Sequence, residues 1–174
     1  MTIVIDCETT GLNPGYDEIL QLAIIDQHGN TLFNERIRPS SRKEWREAER
    51  INGISPEDVK DCKTFLHHKD TVQRIVDGAS IVVGYNFQQF DKWFLIDKGI
   101  DFSTKASYDV MLEFAEIYGE WNDYFQDYKW QKLTTCALYY SYGSFGAHDA
   151  LEDCKATLHC YKCMIEENKK SQPC

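Results

Sequence analysis

"VIDCETTGL", residues 4–12, runs a β-branched apolar segment directly into Asp6 and Glu8. Thr2 to Cys7 reads as a central strand. Side chains alternate along a strand, so Asp6 and Glu8 face one side of the sheet and Cys7 the other. An unpaired carboxylate at the end of a buried strand is costly. Two side by side repel, and a divalent cation would relieve the repulsion. In a chain with 28 acidic residues an Asp-x-Glu triplet alone says little, but the apolar run ahead of it makes an exposed strand end a poor explanation.

Working outward from this strand, "EILQLAIID" (Glu18 to Asp26) and "TLFNERIR" (Thr31 to Arg38) flank the polar "QHGN" and predict a hairpin. Helical spacing covers 44–51 and 55–77, broken at "NGISP", where Ser55, Pro56 and Asp58 mark a helix start. "SIVVGY" (Ser80 to Tyr85) is a short strand suited to burial on both faces. A helix through Phe87, Phe90, Phe94 and Leu95 follows and stops at Gly99. "TKASYDV" predicts a last strand, then a helix from Asp109 to Tyr118. Glu120 to Tyr128 is aromatic and acidic without clear period and reads as loop, before two closing helices. The expectation is an α/β fold with a mixed sheet.

The 174 residues suit one domain, 1–174, with a frayed tail at 169–174. No apolar run approaches the ~18 residues that cross a bilayer. The start "MTIVIDC" lacks the basic residues and cleavage site of a signal peptide, so the cytoplasm is the expected compartment. Seven cysteines, an odd count, favour reduced thiols. Cys160 and Cys163 have C-x-x-C spacing but no second pair, and read as apolar packing in a helix rather than a zinc site.

The net charge of −9 argues against broad coating of nucleic acid. The basic cluster Arg36, Arg38, Arg42, Lys43, Arg46 and Arg50 reads as a solvated helix face paired with Glu44, Glu47 and Glu49.

Two further segments carry acids to the edge where α/β proteins commonly build sites. "VVGYNFQQFD" delivers Asp91 early in a helix, with Asn86 and Gln89 in capping-box spacing. In "AHDALEDCKAT", Asp149 and Glu152 are spaced as an N-cap and its partner. His148 then lies just outside the helix on a joint, and Asp153 in its first turn, where the dipole favours a carboxylate. Asp97, Asp101 and Asp109 read as caps at element ends. Cys7, facing away from Asp6 and Glu8, is no candidate nucleophile.

In order and spacing, these three segments resemble the DEDDh exonucleases of the DnaQ-like superfamily, from about Ile3 to Tyr161, including "ETTGL" after the first acid. The resemblance implies a ribonuclease H-like mixed central sheet flanked by helices. It assigns Asp6, Glu8, Asp91 and Asp153 as ligands of two Mg²⁺ or Mn²⁺ ions and His148 as general base, histidine ordinarily titrating nearest neutral pH. The implied reaction is 3′→5′ hydrolysis at a single-stranded 3′ end, releasing nucleoside 5′-monophosphates.

Thr9 and Leu12 match positions that hold the terminal sugar and wedge against its base, with turn packing as the alternative. Asn86 and Phe90 match residues just before the middle acid, where capping and core roles compete. Tyr85 stands where many relatives have histidine. Lys129 and Lys132 read as surface lysines. "IDCETTGL" is closer to proofreading subunits, which favours DNA and implies a separate DNA polymerase as a partner. Exoribonuclease trimming and a non-catalytic binding module stay open as alternatives.

Overall fold

The computed structural model describes residues 1–171. Its five-stranded sheet comprises β1 (Thr2–Thr9), β2 (Ile19–Asp26), β3 (Thr31–Arg36), β4 (Ile81–Gly84) and β5 (Ala106–Asp109), in the order β3-β2-β1-β4-β5. β2 pairs antiparallel to β3, as the hairpin pattern predicts, and β1 also pairs antiparallel to β2; β1, β4 and β5 run parallel. The sheet is therefore mixed, with β1 at its centre. The β1–β2 ladder carries both acids, and its register slips just past the second, between Glu8 and Thr9.

Alternation along β1 divides the core. Ile3, Ile5 and Cys7 face α3 (Phe65–Asp77) and α4 (Asp91–Asp97), packing with Val72, Val76, Phe87 and Phe94. Val4 faces the other layer, α5 (Val110–Tyr118), α6 (Leu133–Tyr139) and α7 (Ala150–Ser171), with Phe114, Cys136, Cys154 and Cys160. A third cluster, Leu20, Trp45, Ile54 and Val59, seats α1 (Arg46–Asn52) and α2 (Pro56–Val59) at the sheet's end. α2 begins at the helix start read from the sequence, and Ser55 and Asp58 cap it reciprocally. The helical span read over 55–77 is broken into α2 and α3.

Several expectations are corrected. Residues 120–128 hold a small hairpin of β6 (Trp121–Asn122) and β7 (Asp127–Tyr128), too short for period-2 patterning to show. The basic cluster is not one helix face: Arg36 lies in β3 and pairs with Asp58, and Arg42 pairs with Asp17 at 3.5 Å beneath the Tyr16 ring. Asn86 does not cap a helix through its side chain; its backbone is left-handed at φ 63°, and α4 begins later, at Asp91. Asp109 caps α5 as expected, whereas Asp97 pairs with Lys98. Cys136, Cys154 and Cys160 are buried thiols, and no cysteine joins a metal-holding group among the described residues. α7 carries through Ser171, and the rest of the expected tail, 172–174, lies outside the described residues. No helix among the described residues is long and apolar enough to cross a membrane.

Candidate active site

The carboxyl ends of β1 and β4 open into a cleft of about 600 Å³. All nine candidate residues line it: Asp6, Glu8, Thr9, Leu12, Asn86, Phe90, Asp91, His148 and Asp153. They come from four places in the fold. β1 supplies Asp6, Glu8 and Thr9; the loop after it supplies Leu12. The turn after β4 and the first residue of α4 supply Asn86, Phe90 and Asp91. His148 and Asp153 come from the joint before α7 and its first turn. Gly84 is what lets β4 bend into that turn, since a Cβ there would stand 2.6 Å from the Phe87 Cβ and 3.1 Å from the Ile5 carbonyl.

Two of the acids, Asp91 and Asp153, are held from behind. Asp91, 2% exposed, accepts the Cys7 backbone N–H at 2.9 Å and its thiol at 3.1 Å. Cys7 lies across the sheet from Asp6 and Glu8, as alternation requires, yet it ties β1 to α4 by orienting Asp91. Sequence reasoning missed this role because 84 positions separate the partners. Asp153, 8% exposed, accepts the His148 backbone N–H at 3.1 Å through one oxygen. Its other oxygen is buried with no hydrogen-bond partner.

Asp149 caps α7 by accepting the backbone N–H groups of Leu151 and Glu152. Gln21, from β2, donates to Asp149 and fastens the helix start to the sheet. Glu152 pairs instead with Lys155, so only half of the expected capping box forms. His148 is exposed with φ 70°, a backbone kink that stands its ring at the cleft's lip.

Among the described residues no lysine or arginine forms an ion pair with these carboxylates, which face one another. Burial pushes Asp6 well above the ordinary carboxylate range, and Asp91, Asp153 and Glu8 add repulsion. Burial and then Asp153 raise Glu8 to about 7, against a hydrogen bond from Asn52. Burial raises Asp91 to about 6, opposed by the two Cys7 bonds. Burial raises Asp153 to about 7, with Asp149 and Asp91 adding to it and the His148 N–H opposing. Ligand atoms of Glu8, His148 and Asp153 lie within 4.8 Å of one another. An orphaned buried oxygen and hard oxygen donors crowded together without a counter-charge fit a divalent cation.

The substrate candidates divide. The Thr9 hydroxyl donates to the Gly11 carbonyl at 2.6 Å, so the turn role is realised. Leu12 is 77% exposed at the cleft, free to meet a ligand. The Asn86 side-chain oxygen is buried and unpartnered. Phe90 packs tilted on Phe94, 5.0 Å between ring centres, while lining the cleft. Tyr85 donates its hydroxyl to the Gln131 carbonyl at 2.8 Å.

Tyr16, Ile51 and Asn52 also line the cleft and were not singled out in the sequence, and Arg42, read there as part of a solvated helix face, lines it as well. The available signal was Gly11 in "TTGLNPGYD", where a Cβ would collide with the Asp17 carboxylate that holds Arg42.

A PolC-type DNA polymerase III of Thermotoga maritima is 28% identical over 97% of this chain and 12% of its own length. RNA exonuclease 4 of Saccharomyces cerevisiae is 26% identical over 92% of this chain and 53% of its own. The chain thus spans about half or less of these relatives. Among solved structures, Escherichia coli exonuclease I with a dT13 oligonucleotide superposes with a TM-score of 0.79 at 18% identity, over 97% of this chain and 42% of that one. Exonuclease X with a 5′-overhanging duplex DNA gives 0.69 at 21% identity, over 97% and 93%. These likenesses establish the shared fold. The sequence model of the RNase_T exonuclease family matches residues 3–161, and the chain belongs to that family.

Proposed function

We propose that this chain is a metal-dependent 3′→5′ exonuclease that removes nucleoside 5′-monophosphates from unpaired nucleic acid, with DNA the favoured substrate. The observation that carries the proposal is the meeting of Asp6, Glu8, Asp91 and Asp153 in one cleft, mutually repelling, with an Asp153 oxygen left unpartnered. A fold kept only to bind nucleic acid has no use for four acids that raise one another's pKa.

These four carboxylates would hold the ions. A pair of Mg²⁺ or Mn²⁺ ions, when bound, supplies the charge that admits a phosphate among the acids and favours ionisation of water. His148, free at the lip, takes the proton of the attacking water as the P–O3′ bond breaks. The Asp153 contact to the His148 backbone fixes where that imidazole starts. Leu12 and Phe90 would flank the terminal nucleotide, and Asn86 would offer its unpartnered oxygen to a sugar hydroxyl or base amine.

The likeness to PolC-type polymerase supports a proofreading setting with a DNA polymerase as partner. The odd cysteine count, with the six cysteines among the described residues free, supports a reducing compartment, the cytoplasm. Residues 1–174 are taken as one exonuclease domain.

The test is release of labelled mononucleotides from matched single-stranded DNA and RNA bearing a 3′ label, with Mg²⁺, Mn²⁺ and EDTA. The expected result is EDTA-reversible cleavage from the labelled end, faster on DNA. Cleavage that ignores EDTA, or none with either ion, overturns the proposal.

A further inference from the structure

We infer that the hairpin of β6 and β7, with Trp130 beyond it, is a stacking platform for unpaired bases of the strand whose end occupies the cleft. This deepens the exonuclease reading and rests on it. Within ten residues the chain displays Trp121, Tyr124, Phe125 and Trp130 to solvent, with Tyr124 86% and Phe125 72% exposed. A monomer seldom presents so many large rings together without a ligand to cover them. The Tyr124 and Phe125 rings meet edge to face, 4.9 Å between centres, and Trp121 meets Tyr128 at 5.2 Å. Phe125, Tyr128 and Trp130 border a cavity of about 550 Å³ whose remaining walls are Asn122, Asp127 and Lys129. That volume falls in the range of small-ligand pockets.

Continuity with the cleft sets the occupant. Trp130 is followed by Gln131, whose carbonyl accepts the Tyr85 hydroxyl, and Tyr85 lines the cleft beside Asn86. A strand leaving the cleft over Tyr85 is thereby directed toward the segment that carries Trp130. The hairpin's charges select which part of that strand it holds. Lys129 is paired with Glu120 at 2.7 Å, and Asp123 and Asp127 remain, so the hairpin has no surplus of cations for phosphates. Flat rings with polar groups between them suit the faces and edges of bases, and stacking tolerates any sequence.

The test compares a thymidine dinucleotide with a twelve-nucleotide oligothymidylate, both Mn²⁺-dependent substrates under the reading above. Phe125→Ala with Trp130→Ala should raise KM for the long substrate tenfold or more, as expected for lost base stacking. It should leave kcat and both constants for the dinucleotide unchanged. The KM ratio should hardly vary with salt, since no phosphate contact is removed. In EDTA, the long oligonucleotide should quench tryptophan fluorescence of the wild type, and Trp130→Phe should lose most of that quenching. This binding arm separates failure of the platform from failure of the exonuclease reading. Equal losses on both substrates would overturn the inference. So would an unchanged KM on the long one, or intact oligonucleotide binding accompanied by a change in sedimenting mass, which would make the face a protein contact.

Discussion

Glu18 and Asp153 are both buried carboxylates, 7% and 8% exposed, and the chain treats them in opposite ways. Burial alone would raise Glu18, but the backbone N–H groups of Ser40, Arg42 and Ser41 and the Ser41 hydroxyl outweigh it and hold the acid at about 2. The bonds run from 2.7 to 3.0 Å. Asp153 receives one N–H, keeps an oxygen without a partner, and faces other acids that help raise it to about 7. Glu18 fastens the 40–42 loop to β2 as structure. The cluster around Asp153 is left unsatisfied, as expected where a ligand is to complete the set.

The comparison can be broken most sharply by truncation. Asp6→Ala or Asp153→Ala should lower mononucleotide release about a thousandfold or more, since ion charge contributes several kcal/mol to such transition states. The same variants should melt no lower than the wild type in EDTA, because they remove repulsion. A kinetic assay beside a thermal melt decides both. Glu18→Gln should behave the other way, costing about 2 kcal/mol of stability by denaturant unfolding through lost charge-assisted bonds. It should leave the turnover of the folded protein nearly intact.

His148→Gln should reduce turnover about a hundredfold or more, the ordinary contribution of a general base. Metal affinity should fall less than in the Asp153 variant, which separates proton transfer from ion binding. A calorimetric titration of both variants checks this.

The smallest expected effect is on stability against pH. Glu8 and Asp153 titrate near 7 in the folded chain and near 4.5 and 3.8 otherwise, so the native state binds their protons more tightly. Their stabilising contribution is full in acid and is lost as pH rises toward 7. Glu18 is depressed, so its contribution is present above about 4.5 and is lost as pH falls toward 2. In EDTA, the melting temperature of Asp153→Asn relative to wild type should therefore increase between pH 5 and pH 8. A constant gap would contradict the repulsion on which the site is built.

The sequence disclosed what is local and repeated. Alternation in β1 puts Asp6 and Glu8 on one face, and cap spacing puts Asp149 at the start of α7 with His148 outside it. What it hid depends on partners far apart. Nothing near Glu18 announces that residues 40–42 will surround it, and nothing near Cys7 announces Asp91. Asn86 looked like a cap because its spacing to Gln89 was right. The bend after Gly84 instead turns its backbone left-handed, and the Asp109 carboxylate accepts its N–H. The 121–128 hairpin escaped notice because two-residue strands carry no period.

The most direct measurement is calorimetric titration of Mn²⁺ into the wild type and into Asp6→Ala combined with Asp153→Ala, in buffers of different ionisation heat. Acids held near 7 must shed protons to bind a cation. The wild type should take up about two ions per chain, releasing more protons at pH 6 than at pH 8, and the double variant should bind none in the cleft. Equal uptake by both proteins, or uptake without proton release, would contradict the account.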